Sequence, residues 1–152
     1  MVRPEDIALA DALRQRLSEQ LHSIDRLRSV SERQRKSLRS KDFVKLAEHE
    51  RERQQIFEQI RKGDRELDRL KEAWKEKRDR MPNSEKQAIE GLMERLRESL
   101  RNILAIEGDN INMVRELRDE VDRELRKLMG GRKATGYGST RLAEGRFLDT
   151  RG

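Results

Sequence analysis

The chain has 152 residues, 43% of them charged and 33% hydrophobic, with one Trp, one Tyr, three Phe and no Cys. That mix cannot fill a thick globular core, although it suits thin helix-on-helix seams with solvated outer faces, and the missing cysteine excludes disulfides and thiol chemistry. The net charge of +6 is a small difference between 36 basic and 30 acidic residues, interspersed as in Glu50-Arg51-Glu52-Arg53 rather than gathered on one face, which argues against nucleic-acid binding.

No apolar run approaches the ~20 residues that a membrane span needs, so no membrane insertion is expected. The opening Met1-Val2-Arg3-Pro4-Glu5-Asp6 has no signal-peptide core, which leaves the cytoplasm as the expected compartment.

Pro4 with Glu5 and Asp6 reads as the start of a first helix, because proline is tolerated in the first turn and acids favour the positive end of the dipole. Its seam runs Ala10, Leu13, Leu17, Ile24 and Leu27, and the helix is predicted over about 5–38. The pattern thins after Val30, and a second start follows: Ser40 can cap, Asp42 lies in the first turn, and Phe43, Val44, Leu46 and Ala47 re-establish an apolar face. The second helix, about 42–80, carries Leu46, Arg53, Ile60, Leu67, Trp74 and Met81 at one heptad position. His49, Ile56, Gly63, Leu70 and Lys77 hold the other. Trp74 is expected in the core, His49 as half-buried packing, and Gly63 as a soft spot worth about 1 kcal/mol against alanine if exposed. No Pro or Gly stands between Ser37 and Asp42, so one continuous helix from Glu5 to Arg80 is the alternative.

Pro82 ends this helix, and Ser84 with Gln87 reads as a capping box opening a third, about 85–129. The short connection makes the second and third helices antiparallel neighbours. The third has the longest pattern: Ile89, Leu92, Met93, Leu96, Leu100, Ile103, Ile106, Met113, Val114, Leu117, Val121, Leu125 and Leu128, stopped by Gly130-Gly131. Its seam is interrupted at Glu107 and Asn110, with Gly108 and Asn112 in the same turn. This is either a register-fixing polar layer or a place where the seam opens to an incoming helix.

Residues 1–129 are thus expected to form one all-α unit, an elongated antiparallel bundle or coiled coil of three helices or one long hairpin. Residues 130–152, glycine-rich and basic, are expected to be a flexible tail whose Tyr137, Leu142, Phe147 and Leu148 suit a short docking motif.

No catalytic constellation assembles. His22 and His49 have no metal-ligand spacing, and the glycine pairs are followed by no Gly-Lys-Ser/Thr, so no P-loop is present. No catalytic residue, metal or cofactor is expected.

The Leu38-x-x-x-Asp42-x-x-x-Leu46 restart, Asn110-x-Asn112, Tyr137-Gly138 and the closing Arg146-Phe147-Leu148-Asp149 together resemble the FlgN-type flagellar export chaperones. The resemblance implies a cytoplasmic bacterial chaperone that holds the terminal amphipathic helices of hook–filament junction proteins and delivers them to the flagellar type III export apparatus. On that reading the client surface is Glu107, Asn110, Asn112, Met113, Val114, Leu117, Val121, Leu125 and Leu128, with Tyr137, Gly138, Phe147, Leu148 and Asp149 of the tail. A homodimer is compatible with it. The competing readings are the rod-like coiled-coil component that activates the flagellar export ATPase, and a self-associating structural coiled coil.

Overall fold

The computed structural model describes residues 2–130, which form three long helices: α1 (Pro4–Arg39), α2 (Phe43–Lys77) and α3 (Asn83–Leu128). A short 3-10 turn, Arg78–Arg80, closes α2, so the regular second helix ends three residues earlier than its apolar pattern suggests. The break between the first two helices replaces the continuous-helix alternative.

That break is a Schellman-type stop made without glycine. Lys41 adopts the left-handed conformation (φ 57°), its N–H donates to the Leu38 carbonyl at 3.2 Å, and the Asp42 N–H donates to the Ser37 carbonyl at 2.9 Å. Glycine would take that conformation without a Cβ clash, which is why no stop was visible in the sequence. Asp42 then caps α2, accepting from the Lys45 N–H at 3.2 Å. Ser40, a candidate cap in the sequence, instead ends α1 and donates its hydroxyl to the Ser37 carbonyl. Of the four apolar residues opening α2, only Leu46 is buried; Phe43, Val44 and Ala47 are exposed.

The start of α3 also differs from the expected capping box. Pro82 is the N-cap, with φ −59° and ψ 147°, and no side chain caps the helix. The ring fixes φ at the value the chain needs to enter, and the Lys86 N–H donates to the Pro82 carbonyl at 3.1 Å, so Ser84 and Gln87 fall inside the helix.

α1 is the central element. It packs along both α2 and α3, whereas α2 and α3 make few close backbone approaches to each other. The ion pair Arg14–Glu85 at 3.3 Å, the pair Arg35–Asp109 at 2.7 Å and the pair Lys41–Glu120 at 3.2 Å show α3 running alongside α1 in the same direction. The main neighbour of α3 is therefore α1, not the antiparallel α2 that precedes it. The reason lies in the width of the stripes. α1 buries Ala10, Leu13, Leu17, Leu21, Ile24, Leu27 and Val30, enough to serve two partners, while the α2 seam is diluted by polar members. Trp74, Ile56, Leu67, Ile89, Leu96 and Ile103 complete the core.

Gly63 has a packing reason. A Cβ there would lie 2.5 Å from Oε1 of Gln20. Buried Gln20 uses the space to donate to the Ile60 carbonyl at 3.0 Å and to Asp64 Oδ1 at 2.6 Å. Gly91, by contrast, has nothing near its missing Cβ. Gly91→Ala is expected to stabilise the chain by about 1 kcal/mol through helix propensity. At Gly63 the same gain is offset by hydrogen bonds worth roughly 1 kcal/mol each, so Gly63→Ala leaves stability unchanged or lower. Urea denaturation of the two variants checks this.

Asp6 ties the start of α1 to the far end of α2. Its carboxylate accepts from the Arg3 N–H at 3.2 Å and lies 3.6 Å from Lys77 Nζ and 3.7 Å from Arg80 Nη2. Burial pushes its pKa up, but the Arg3 N–H and the charges of Arg80 and Lys77 outweigh it and hold the carboxyl below its ordinary value. A folded-state pKa below the unfolded one stabilises fully above about pH 4 and is lost as the pH falls through the folded value. The stability gap between the wild type and Asp6→Asn should therefore be present at neutral pH and close below about pH 4, as read from thermal melts across that range.

Candidate partner-binding site

The sequence-derived site divides into two parts. Glu107 and Asn110 belong to a polar layer spanning all three helices. Arg53 of α2 reaches across to Glu107, its Nε donating to Oε1 at 3.0 Å and its Nη2 to Oε2 at 2.8 Å. The Ser31 hydroxyl of α1 donates to the same Oε1 at 2.7 Å. Glu50 pairs with Arg53 at 3.3 Å. The Asn110 amide donates to the Ser31 carbonyl at 3.0 Å and approaches Gln34 Oε1 at 3.5 Å. The Arg53 and Glu107 side chains are only 4% and 12% exposed, and the Arg53 guanidinium also lies 4.8 Å from the centre of the Phe57 ring. Apart from the buried Asn110 Oδ1, which has no hydrogen-bond partner among the described residues, these polar groups are engaged within the chain. The bidentate contact satisfies an enclosed guanidinium with fixed geometry, which is how such pairs can set helix register.

Past that layer, α3 changes character. Asn110 is its last buried residue. Met113, Val114, Leu117 and Leu125 are half-buried, Val121 is 47% exposed and Leu128 is 82% exposed, while Asn112 points into solvent. The geometry explains the loss of cover. Lys41, in the turn that ends α1, meets Glu120, so the residues beyond Glu120 extend past the turn, about 12 Å at 1.5 Å per residue. At about 100° per residue, Val114, Leu117, Val121, Leu125 and Leu128 share an arc of about 80°, a single stripe that the bundle covers at one end and leaves bare at the other.

Further apolar exposure sits elsewhere on the bundle. Phe43 and Val44 open α2 beside the same turn, and Leu100 and Leu104 lie exposed along α3. The sequence offered no signal for the first pair, because their spacing matched a buried seam. Leu104 falls outside the α3 seam spacing, which was the one available hint.

Among the described residues, no group of three His, Cys, Asp or Glu side chains is placed to hold a metal, and no helix is long and apolar enough to cross a membrane. His22 is exposed and His49 half-buried, on separate helices. Tyr137, Gly138, Phe147, Leu148 and Asp149 lie outside the described residues.

The fold is thus a charged three-helix bundle in which one helix presents a partly bare apolar stripe. A family model described as FlgN protein matches residues 1–145, and the chain belongs to that family of flagellar export chaperones. The match stops just short of Phe147, Leu148 and Asp149. No curated protein and no solved structure matches the chain.

Proposed function

We propose that this chain is a cytoplasmic chaperone, without a reaction of its own, for flagellar hook–filament junction proteins. It holds their terminal amphipathic helices along α3 and hands them to the type III export apparatus. The observation that carries the reading is the apolar stripe from Met113 to Leu128, which the bundle leaves half-covered and then bare. An amphipathic client helix would lay its apolar face on that stripe at spacing i, i+4, i+7. The interspersed charges along α3 would fix its orientation and speed encounter more than they add affinity.

The tail is assigned a separate role on this reading. Tyr137-Gly138 and Phe147-Leu148-Asp149 would serve as a short linear contact, for the client or for the export apparatus.

Calorimetric titration with peptides matching the terminal helices of junction proteins tests the proposal, using the full chain and a version ending at Met129. Stoichiometric binding by both, with the tail adding affinity or changing which partner is retained, is the expected result. If no junction-protein helix binds the full chain, the assignment of client is wrong.

A further inference from the structure

The charges of this chain alternate along its helices, yet their imbalance sits at one end. Residues 123–152 hold eight of the 36 cations and three of the 30 carboxylates, whereas residues 1–122 hold 28 and 27. Five of the six net positive charges therefore fall in the last 30 residues. Arg123, Arg126 and Lys127 stand exposed in the last turns of α3, and the other five cations lie beyond Gly130, outside the described residues. The three carboxylates are Glu124, Glu144 and Asp149, of which Glu124 meets Lys127 at 3.7 Å.

Apolar surface gathers at the same end. Val121 and Leu128 are exposed and Leu125 is half-buried, all within one arc. At about 100° per residue, Arg126 and Lys127 fall about 100° to either side of that arc and Arg123 stands behind it. A helix end with leucine on one side and long cationic side chains on its flanks matches a bilayer interface, where the stems lie along the apolar boundary and the charges reach the headgroups. Beyond Gly130 the sequence continues the mixture, with Tyr137, Leu142, Phe147 and Leu148 among the remaining cations. The acidic residues Glu116, Asp119, Glu120 and Asp122 lie nearer the α1–α2 turn, where Glu120 is held by Lys41 at 3.2 Å. Only the part of α3 that projects past the turn is free of this acidic stretch.

From this juxtaposition we propose that the projecting end of α3, with the segment that follows it, binds the surface of an anionic phospholipid bilayer. The contact is peripheral, since no helix among the described residues is long and apolar enough to cross a membrane. A phosphate backbone of nucleic acid would take up the cations but leave Leu128 in water, whereas a bilayer interface accommodates both. Binding is electrostatic in its larger part, so it weakens with salt and with loss of anionic lipid. The inference stands apart from the choice of client. Leu128 is common to both surfaces, so a docked client helix competes with lipid at that position.

Co-sedimentation of the full chain, without client, on vesicles of phosphatidylcholine and on vesicles with about 30% phosphatidylglycerol tests the proposal. Partitioning is expected to be at least about tenfold stronger on the anionic vesicles, and to fall several-fold as added salt shortens the Debye length. Each cation near such a surface is worth about fivefold in partitioning. Arg123→Gln with Arg126→Gln and Lys127→Gln should therefore lose at least about tenfold, with the circular-dichroism melt unchanged because all three are exposed. Leu128→Ser should weaken binding several-fold and leave its salt dependence in place. Equal partitioning on the two vesicle types, or anionic binding that survives the triple substitution, would overturn the proposal. Retention by a duplex oligonucleotide at a salt concentration where neither vesicle holds the chain would assign the charged end to nucleic acid and overturn it equally.

Discussion

Glu107→Ala is expected to destabilise the bundle by roughly 3 kcal/mol, more than any surface substitution in the chain. Glu107 draws Arg53 of α2, Ser31 of α1 and α3 to one point, with contacts of 2.7 to 3.0 Å. Removing its carboxylate leaves an enclosed guanidinium without its bidentate acceptor, and desolvation of that charge dominates the cost. The companion expectation separates desolvation from packing. Arg53→Met combined with Glu107→Leu removes both charges and keeps the volume, and should recover most of the lost stability or exceed the wild type. Chemical denaturation of the two single variants and the double variant gives the coupling energy. If Glu107→Ala costs no more than an exposed pair such as Lys75–Glu72, a few tenths of a kcal/mol, the layer contributes specificity alone.

The same layer shows where the sequence stopped being readable. Arg53 stood as a polar interruption in the α2 heptad, and Glu107 and Asn110 as interruptions in that of α3. Read alone, the α2 seam looked weakened by its polar members, and the α3 interruption fitted either a register-fixing layer or an opening to an incoming helix. In the fold they answer one another, and the separation in sequence, 54 positions for Arg53 and Glu107, is what hid the match. Gly63 and Gln20 repeat the lesson: the glycine soft spot is the space into which a buried glutamine from α1 reaches. Helix existence was legible because apolar periodicity is a local property, and Trp74, Leu67 and Ile103 are buried as their positions suggested.

The ends of the helices were harder to read, for reasons that differ from place to place. At Lys41 a left-handed stop was made by a residue that ordinarily avoids it. At Pro82 a fixed φ displaced a side-chain cap that the Ser-x-x-Gln pattern suggested. The partnership of α3 with α1 was not legible either. It depends on how wide a stripe α1 can bury on two sides at once, and a single helical pattern does not carry that comparison.

Exposure along the stripe decides which substitutions separate binding from folding. Changing Val114, Leu117 and Val121 together to polar residues would disturb the chain itself, because the first two are half-buried against the bundle. Val121 and Leu128, at 47% and 82% exposure, can be changed with little effect on stability, since substitutions at exposed positions usually cost within about 0.5 kcal/mol. On a client helix docked along α3 the effect is large. Each of the two side chains would lose the burial the complex gives it, about 1.5–3 kcal/mol apiece, and each introduced carboxylate would lie against an apolar surface. Val121→Asp with Leu128→Asp is therefore expected to weaken client binding by at least about 100-fold while the thermal midpoint stays within a few degrees of the wild type. Calorimetric titration of the client helix beside a circular-dichroism melt reads both quantities on one preparation. Undiminished affinity with an intact fold would move the client away from the end of α3, and the exposed Leu100 and Leu104 higher on the same helix would be the next positions to replace.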